Sequence, residues 1–279
     1  MWKELFEELD IDMETRTTDS LETENSVESI ILTDLKDSKA NLRISTKQNY
    51  LNFHLTIAKA VSLIQKLAGY LKIEKFGIEY ELLTLFQEEL DFQEKLKFHI
   101  VHFKGGLHQI DEKIVSNFME VLDSRKFIFD GKCSSMEPWK NATGIFFPNT
   151  NEFQRLDIFY HLSSLRLRLK ELNSHEARKL ITNFTNKTSF EPRTTFFQIF
   201  TENTMIPEEI LAENNNFLKS LVTDKREENF QLIRVQKLPM LNSANLVFVV
   251  KATPTMLAGT VCRSGEELLD DDFLDPPLL

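Results

Sequence analysis

The spacing of apolar and polar residues predicts a mixture of helices and strands, and residues 152–172 show the most informative pattern. At about 100° per residue, the turn of an α-helix, this stretch carries two apolar stripes on opposite sides. One stripe holds Ile158, Leu162, Leu165, Leu169 and Leu172, and the other holds Phe153, Leu156, Tyr160 and Leu167. A surface helix usually buries one stripe, so the second stripe needs a further layer of the same domain or another protein to pack against.

Helical periodicity is concentrated early in the chain and strand-like alternation late. The pattern predicts helices over 46–73, 78–93, 110–122, 174–184 and 207–221, and strands over 97–103, 126–129, 143–147, 194–200, 230–237 and 244–251. The long first helix has apolar residues on both faces, which indicates a central position. Residues 29–34 form a short β-branched run that fits a first strand or an edge-adding peptide. Because no regular β–α alternation appears, the pattern favours an α+β domain with helices packed on a largely antiparallel sheet.

The first residues of the chain predict a short amphipathic helix over 1–13. Trp2, Phe6, Leu9 and Met13 recur at helical spacing among acidic residues. A helix of this length is marginal in water by itself, so it folds either into the groove of a partner or onto its own domain. The first alternative makes Trp2, Phe6 and Leu9 partner-binding residues.

The net charge of −10 is distributed very unevenly. Residues 1–40 carry −8 and residues 264–279 carry −6, which leaves +4 on the body between them. Acidic ends rich in Ser and Thr rarely fold alone, so we expect disordered arms at 1–45 and 256–279 around a single domain at 46–255. The body has no Lys/Arg cluster with interleaved aromatic residues, which argues against a nucleic-acid partner.

Cysteine content and hydropathy favour an intracellular protein. Cys133 and Cys262 are the two cysteines of the chain, and so low a count suits a reducing compartment. No basic-then-apolar signal pattern begins the sequence, and no apolar run approaches the ~20 residues that cross a bilayer. We therefore expect a location in the nucleus and cytoplasm, without a membrane partner.

No catalytic signature is present in the sequence. His99, His102 and His108 are the best metal-like cluster, but their spacing lies on a predicted strand and no cysteine is close. Cys133 lies near Lys132, without an obvious residue to activate its thiol. No Gly-rich phosphate loop or nucleophile elbow is found. The sequence therefore predicts a non-enzymatic protein without metal, cofactor or small-molecule substrate.

Several segments together resemble a known family. Residues 123–131 and 136–139 are similar to a first hairpin strand and its turn, residues 77–83 to the segment after a first helix, and residues 230–251 to a closing hairpin. With the order of elements over 50–252, they resemble the HORMA domain, and within it the comet-type spindle-checkpoint silencing proteins. The resemblance implies a HORMA-like fold and an adaptor function.

The resemblance also implies partners and a contact surface. In that family the third helix binds the checkpoint HORMA protein Mad-two in its closed form, which an AAA+ ATPase then remodels, silencing the spindle assembly checkpoint. The matching stretch here is 152–172, with Tyr160 as the aromatic anchor. The implied contact residues are Phe153, Leu156, Tyr160 and Leu167, with Arg155 and Arg166 at the polar rim.

Two other functions fit the same patterns. The first is a structural subunit of a kinetochore or another nuclear assembly, built on an RWD-like α+β domain. It explains the two-stripe stretch and the acidic ends equally well, and it differs by forming a stable stoichiometric complex. The second is an enzyme with an unrecognised site, which a deep pocket with a perturbed ionisable group would favour.

Overall fold

The described part of the chain forms two compact units. The computed structural model describes residues 2–11, 26–34, 39–90, 95–105, 112–120, 122–130, 142–151, 153, 155–211, 221–226 and 232–266. Unit 1 comprises Met1–Ala142 and unit 2 comprises Thr143–Leu279. Each unit combines helices with a β-sheet, which confirms the mixed α and β class, but the predicted single domain over 46–255 differs from this division.

Unit 1 is built on a sheet with both parallel and antiparallel strands. Its helices are α1 (Trp2–Glu8), α2 (Ile57–Tyr70), α3 (Leu83–Glu89) and α4 (Glu112–Glu120), and its strands are β1 (Ser26–Asp34), β2 (Lys39–Ser45), β3 (Tyr50–Thr56), β4 (Lys72–Glu79), β5 (Leu96–Lys97), β6 (Ile100–Lys104), β7 (Leu122–Asp123) and β8 (Lys126–Phe129). The sheet has the order β8-β6-β4-β1-β2-β3, and β5 pairs with β7 separately.

Strand direction in unit 1 follows from the connections. Strands β1, β4, β6 and β8 are mutually parallel, and parallel neighbours need a crossover, which α3 and α4 supply along the chain. Strands β1, β2 and β3 are antiparallel neighbours. The sheet is therefore mixed, where the sequence predicts a largely antiparallel one.

Aromatic side chains form much of the core of unit 1. The rings of Phe86 and Phe118, on α3 and α4, meet edge to face with centroids 5.4 Å apart. Phe103 on β6 lies 5.9 Å from Phe118 and stacks 5.0 Å from Phe129 on β8. Such pairs stabilise the packed state by about 0.5–1.5 kcal/mol beyond the burial of their area.

The prediction of a long helix over 46–73 is wrong in its first third. Residues 50–56 form β3, and the helix begins at Ile57, where the Thr56 hydroxyl accepts a hydrogen bond from the Lys59 N–H. Leu51, Phe53 and Leu55 are buried and alternate with exposed residues, which is the period of a strand. The burial pattern of a strand thus accounts for the two apolar faces that the sequence assigns to a helix.

The N-terminal arm predicted over 1–45 contains ordered structure. Strand β1 lies between β4 and β2 in the sheet, and helix α1 packs on the same unit through Trp2 and Phe6, whose side chains are buried. Acidic composition did not prevent folding here, because the apolar residues of the arm complete a core formed by the rest of the unit. Residues 12–25 lie outside the described residues.

Unit 2 also combines parallel and antiparallel pairing of its strands. Its helices are α5 (Ser174–Thr185) and α6 (Pro207–Ile210), and its strands are β9 (Gly144–Asn151), β10 (Ser164–Leu169), β11 (Phe196–Thr201), β12 (Leu221–Arg226), β13 (Leu232–Met240), β14 (Ser243–Ala252) and β15 (Met256–Arg263). The strand order is β12-β13-β14-β15-β11-β10-β9. Strands β9, β10 and β11 are parallel, and the others are antiparallel.

Helix α5 covers one face of this sheet through Phe184. The Phe184 ring lies 5.1 Å from that of Phe197 on β11 and 5.9 Å from that of Phe248 on β14. A Cβ added at Gly259 would lie 2.5 Å from Phe248 Cζ, so a glycine is needed below these rings. The predicted helix over 174–184 is confirmed, although its N-cap is Asn173, whose side chain accepts from the Glu176 N–H.

The C-terminal tail predicted over 256–279 begins too early. Residues 256–263 form β15, a largely buried strand that pairs with both β14 and β11. The predicted strand pair over 230–237 and 244–251 is confirmed as β13 and β14. Residues 267–279, which hold most of the acidic tail, lie outside the described residues.

Candidate functional site

The stretch that the sequence identifies as a two-stripe helix is not a helix. Within 152–172, the structure has a 3₁₀ turn at Asp157–Phe159 and then strand β10. Leu165, Leu167 and Leu169 are buried on one face of this strand, while the intervening arginines are less buried. Strand β10 lies between β9 and β11, so both of its backbone edges are paired and its leucines are buried on one face of the sheet. The helix-based contact surface is therefore a wrong prediction.

The six residues proposed for that surface are distributed over different environments. Leu156 and Leu167 are buried, Phe153, Tyr160 and Arg166 are partly buried, and Arg155 is exposed. The Phe153 ring packs on Phe159 with centroids 5.0 Å apart. Arg155 donates from Nε to Asp157 Oδ1 over 3.1 Å, and the Arg166 guanidinium lies 5.2 Å from the centroid of the Phe146 ring. These contacts are internal to unit 2.

Trp2 and Phe6, predicted to bind a partner, are core residues. Their relative exposures are 0% and 2%, and the Phe6 ring lies 5.5 Å from that of Phe53 on β3. Lys66 forms an ion pair with Glu8, and Lys59 forms one with Asp10 at 3.2 Å. Ion pairs therefore also connect α1 and the residues after it with α2. The partly buried Leu9 follows directly after α1. The docked alternative for this helix is therefore the correct one.

A different surface, the outer edge of β3, has no other described strand beside it. In the sheet of unit 1, β3 is the last strand, and its hydrogen-bonded neighbour among the described residues is β2. The turn that joins them is tight, because the Thr46 N–H donates to the Asn49 carbonyl over 2.9 Å. This bond fixes which residues of β3 point their backbone groups toward β2 and which point them away.

The outward-pointing residues follow from the register. Thr46 and Asn49 form a hydrogen-bonded pair, and in an antiparallel ladder such pairs alternate with non-bonded ones. Leu51, Phe53 and Leu55 therefore bond to β2 through their partners Ile44, Leu42 and Ala40. The N–H and C=O groups of Tyr50, Asn52 and His54 point to the opposite side. We call this row of backbone groups the β3 edge.

Side chains along the β3 edge are exposed. Tyr50, Asn52 and His54 are all exposed, and Tyr50 has a relative exposure of 58%. The Arg43 guanidinium, from β2, lies 5.2 Å from the centroid of the Tyr50 ring. Cation–π contacts of this kind contribute about 0.5–1 kcal/mol at exposed sites. The contact places a basic group beside an exposed aromatic ring at the edge.

The charge of the β2–β3 hairpin is opposite in sign to that of the whole chain. Residues 39–56 contain Lys39, Arg43 and Lys47 and no aspartate or glutamate, whereas the chain carries −10. All three basic residues are exposed. The β3 edge therefore presents backbone groups that no other described strand pairs with, within a locally basic surface.

The strand that carries this edge is packed against the core of unit 1. Leu51, Phe53 and Leu55 are buried, and Phe53 packs on Phe6 of α1. The end of the strand leads directly into α2, whose first turn is capped by Thr56. A packed strand loses little conformational entropy when another segment pairs with it.

Titratable groups in unit 1 form one notable cluster. His102 Nε2 lies 2.8 Å from Asp130 Oδ1, which ties β6 to the end of β8. Burial lowers the pKa of Lys75, Lys104 lowers it further, and Asp130 acts in the opposite direction. Burial and then Lys126 lower the pKa of His99. Among the described residues, no group of three or more His, Cys, Asp or Glu is arranged to hold a metal ion.

Two residues considered for metal binding or nucleophilic catalysis are not among the described residues. His108 and Cys133 both lie outside the described residues. Cys262, by contrast, is fully buried in β15. In the part of the chain that the structure covers, no helix combines the length and apolar character needed to cross a bilayer.

A signal for the β3 edge was present in the sequence. Residues 50–56 alternate strictly, with Leu51, Phe53 and Leu55 between polar or amphipathic residues, and such alternation indicates a half-buried strand. What the sequence does not show is the position of that strand in the sheet. That position depends on which strands lie beside it.

Comparisons with known proteins do not assign the chain to a family. No family model, no curated protein sequence and no solved structure matches it.

Proposed function

We propose that the chain is a non-enzymatic protein-binding protein that pairs its β3 edge with an extended, acidic segment of another protein. The observation that carries the proposal is the row of outward backbone groups at Tyr50, Asn52 and His54 on an exposed strand. An edge of this kind accepts an additional strand, in which main-chain hydrogen bonds give affinity and alternate side chains give specificity.

Charge favours an acidic partner over a second copy of the chain. Two β3 edges paired with each other would bring together two hairpins of the same net charge, because Lys39 and Arg43 on β2 and Lys47 in the turn make each hairpin basic, and like charges repel. An acidic strand reverses the sign of this interaction, so its association is faster at low salt.

The identity of the partner rests on a different argument. The resemblance of residues 77–83, 123–131 and 230–251 to comet-type proteins supports a HORMA-like fold and makes closed Mad-two the candidate partner, with an AAA+ ATPase acting on it afterwards. On this proposal the chain acts in the nucleus and cytoplasm during spindle-checkpoint silencing. Because residues 164–169 form a strand, the proposed contact moves from that stretch to the β3 edge.

Amide hydrogen exchange tests the edge itself. In the free full-length chain we expect fast exchange at Tyr50, Asn52 and His54 and slow exchange at Leu51 and Phe53, since only the latter N–H groups are bonded to β2. A peptide of about six residues with alternating glutamate and valine should slow the exchange of the Tyr50, Asn52 and His54 amides. Protection of these amides before peptide is added, or no added protection at saturation, would overturn the proposal.

A matched pair of variants tests the hydrogen bonds. Asn52→Ala keeps the outward N–H, whereas Asn52→Pro removes it without removing a bond to β2. Fluorescence anisotropy of the labelled acidic peptide should show Asn52→Ala binding like the natural chain. Asn52→Pro should bind about tenfold or more weakly, since it leaves a peptide carbonyl unpaired. Equal affinity of the two variants contradicts edge pairing.

Purified closed Mad-two then tests the partner separately. Capture by the natural chain and loss of capture with Asn52→Pro support both parts of the proposal. If the acidic peptide binds and Mad-two does not, the edge remains the contact surface and the partner assignment falls.

A further inference from the structure

Lys187 in unit 2 contacts uncharged groups, unlike Lys59, Lys66 and Lys179, which pair with carboxylates. It lies two residues after the end of α5, and its Nζ donates to the Tyr160 carbonyl over 2.7 Å. The same Nζ lies 4.7 Å from the centroid of the Phe184 ring, which is fully buried. The Lys187 carbonyl accepts a hydrogen bond from Asn242 Nδ2 over 3.1 Å. The amine is thus held between an amide oxygen and an aromatic face.

Neither contact partner of this amine carries a charge. Lys59, Lys66 and Lys179 each form an ion pair with a carboxylate, those of Asp10, Glu8 and Glu176. The elements around Lys187 do carry charged or titratable groups, namely His175, Glu176, Arg178 and Lys179 on α5 and Arg155, Asp157 and His161 around the 3₁₀ turn. The turn between β13 and β14, which holds Asn242, has none.

The carboxylates near the 3₁₀ turn act on a different group. Burial raises the pKa of Tyr160, and Glu176 and Asp157 raise it further. For Lys187, burial lowers the pKa from 10.5 to about 8. An ammonium removed from water without an ionic partner favours its neutral form. Near pH 7.4 the fraction of neutral amine is then on the order of a hundredfold larger than for an ordinary lysine.

We propose that Lys187 is an acylation site that takes an acyl group from an acyl thioester. Its neutral amine attacks the thioester carbonyl carbon, a C–N bond forms, the C–S bond breaks with its electrons passing to sulfur, and the amine proton goes to water. The products are an amide on Lys187 and a free thiolate. The reaction needs no oxidant or reductant, and it does not depend on the peptide-binding role of unit 1.

The surroundings of Lys187 also favour the product. The amide is neutral, so acylation removes the cost of holding a charge in a poorly solvated position. Its remaining N–H is still able to donate to the Tyr160 carbonyl, and the acyl group adds apolar surface next to the Phe184 ring. The residue is partly exposed, so it lies near the surface of unit 2.

Acetyl coenzyme A is the probe that tests the inference on the full-length natural chain. Lys179 is the internal control, because it lies on α5 and pairs with Glu176 at 3.0 Å. Peptide mass spectrometry should show initial acetylation at pH 7.4 at least about tenfold faster at Lys187 than at Lys179. The rate at Lys187 should level off near pH 8, while that at Lys179 continues to rise to pH 9.5.

Two further measurements separate the effect of the fold from that of the local sequence. In urea the rates at Lys187 and Lys179 should become equal, because the desolvated position is lost. Lys187→Arg should leave acetylation of Lys179 unchanged. The inference is overturned by equal rates in the folded chain, by a rate at Lys187 that keeps rising to pH 9.5, or by an advantage that persists in urea.

Discussion

Strands β3 and β10 show how the same alternation of residues leads to different surfaces. In β3, Leu51, Phe53 and Leu55 are buried and the residues between them are exposed. In β10, Leu165, Leu167 and Leu169 are buried as well, but the strand has hydrogen-bonded neighbours on both sides. Backbone groups are thus available for recognition on β3 and already used on β10.

Their polar residues differ in the same way. Arg166 and Arg168 of β10 lie over the rings of Phe146 and Phe200, at 5.2 and 5.9 Å, so these cations are engaged within unit 2. Beside β3, Arg43 contacts Tyr50, a residue that is itself exposed. A strand in the middle of a sheet thus contributes stability, whereas a strand at the margin is able to contribute binding.

The largest expected effect concerns the support behind β3. Phe6→Ala removes a buried ring that packs on Phe53 and should lower the free energy of unfolding of unit 1 by about 3–5 kcal/mol. Urea denaturation followed by circular dichroism measures the change, with the exposed Lys3→Ala as control. A loss below about 1 kcal/mol would show that α1 is not part of the core and would restore its role as a free arm.

Truncation of a buried residue of β10 should lower stability far more than truncation of an exposed residue of β3. Leu167 is fully buried, and Leu167→Ala should cost about 2–5 kcal/mol of stability. His54→Ala, on the exposed face of β3, should change stability by no more than about 0.5 kcal/mol. Thermal melts of both variants make the measurement. A well-folded Leu167→Ala chain that fails to bind a partner would return the contact surface to residues 152–172.

Proline substitutions are expected to give the smallest effect, and they test the comparison of β3 with β10 directly. Arg166→Pro removes an N–H from a strand that is paired on both sides, leaving an unsatisfied acceptor that costs about 1–3 kcal/mol. Asn52→Pro removes an N–H that points away from β2 and should cost less, since proline is tolerated on edge strands. Chemical denaturation ranks the two variants. Equal losses would mean that the Asn52 N–H is also bonded within the protein.

The sequence predicted an element correctly where its apolar residues recur with the period of a helix and cover one face only. Helix α4, found at Glu112–Glu120, was predicted because the pattern over 110–122 has a single apolar face. In β3 and β10, by contrast, the alternating leucines fit two stripes of a hypothetical helix. Apolar residues on opposite sides of a helical projection are also what a strand of period two produces. The second stripe that suggested a partner was therefore a sign of a strand.

By itself the sequence determined the uneven distribution of charge, the absence of acidic residues over 39–56 and the periodicity of segments such as 110–122 and 244–251. These properties depend on neighbouring residues along the chain. Only the tertiary structure decided that β3 lies at a margin and β10 in the interior, that Trp2 and Phe6 complete a core, and that Lys187 lies over Phe184. The physical reason is that burial and free hydrogen-bonding groups depend on residues that are distant in sequence.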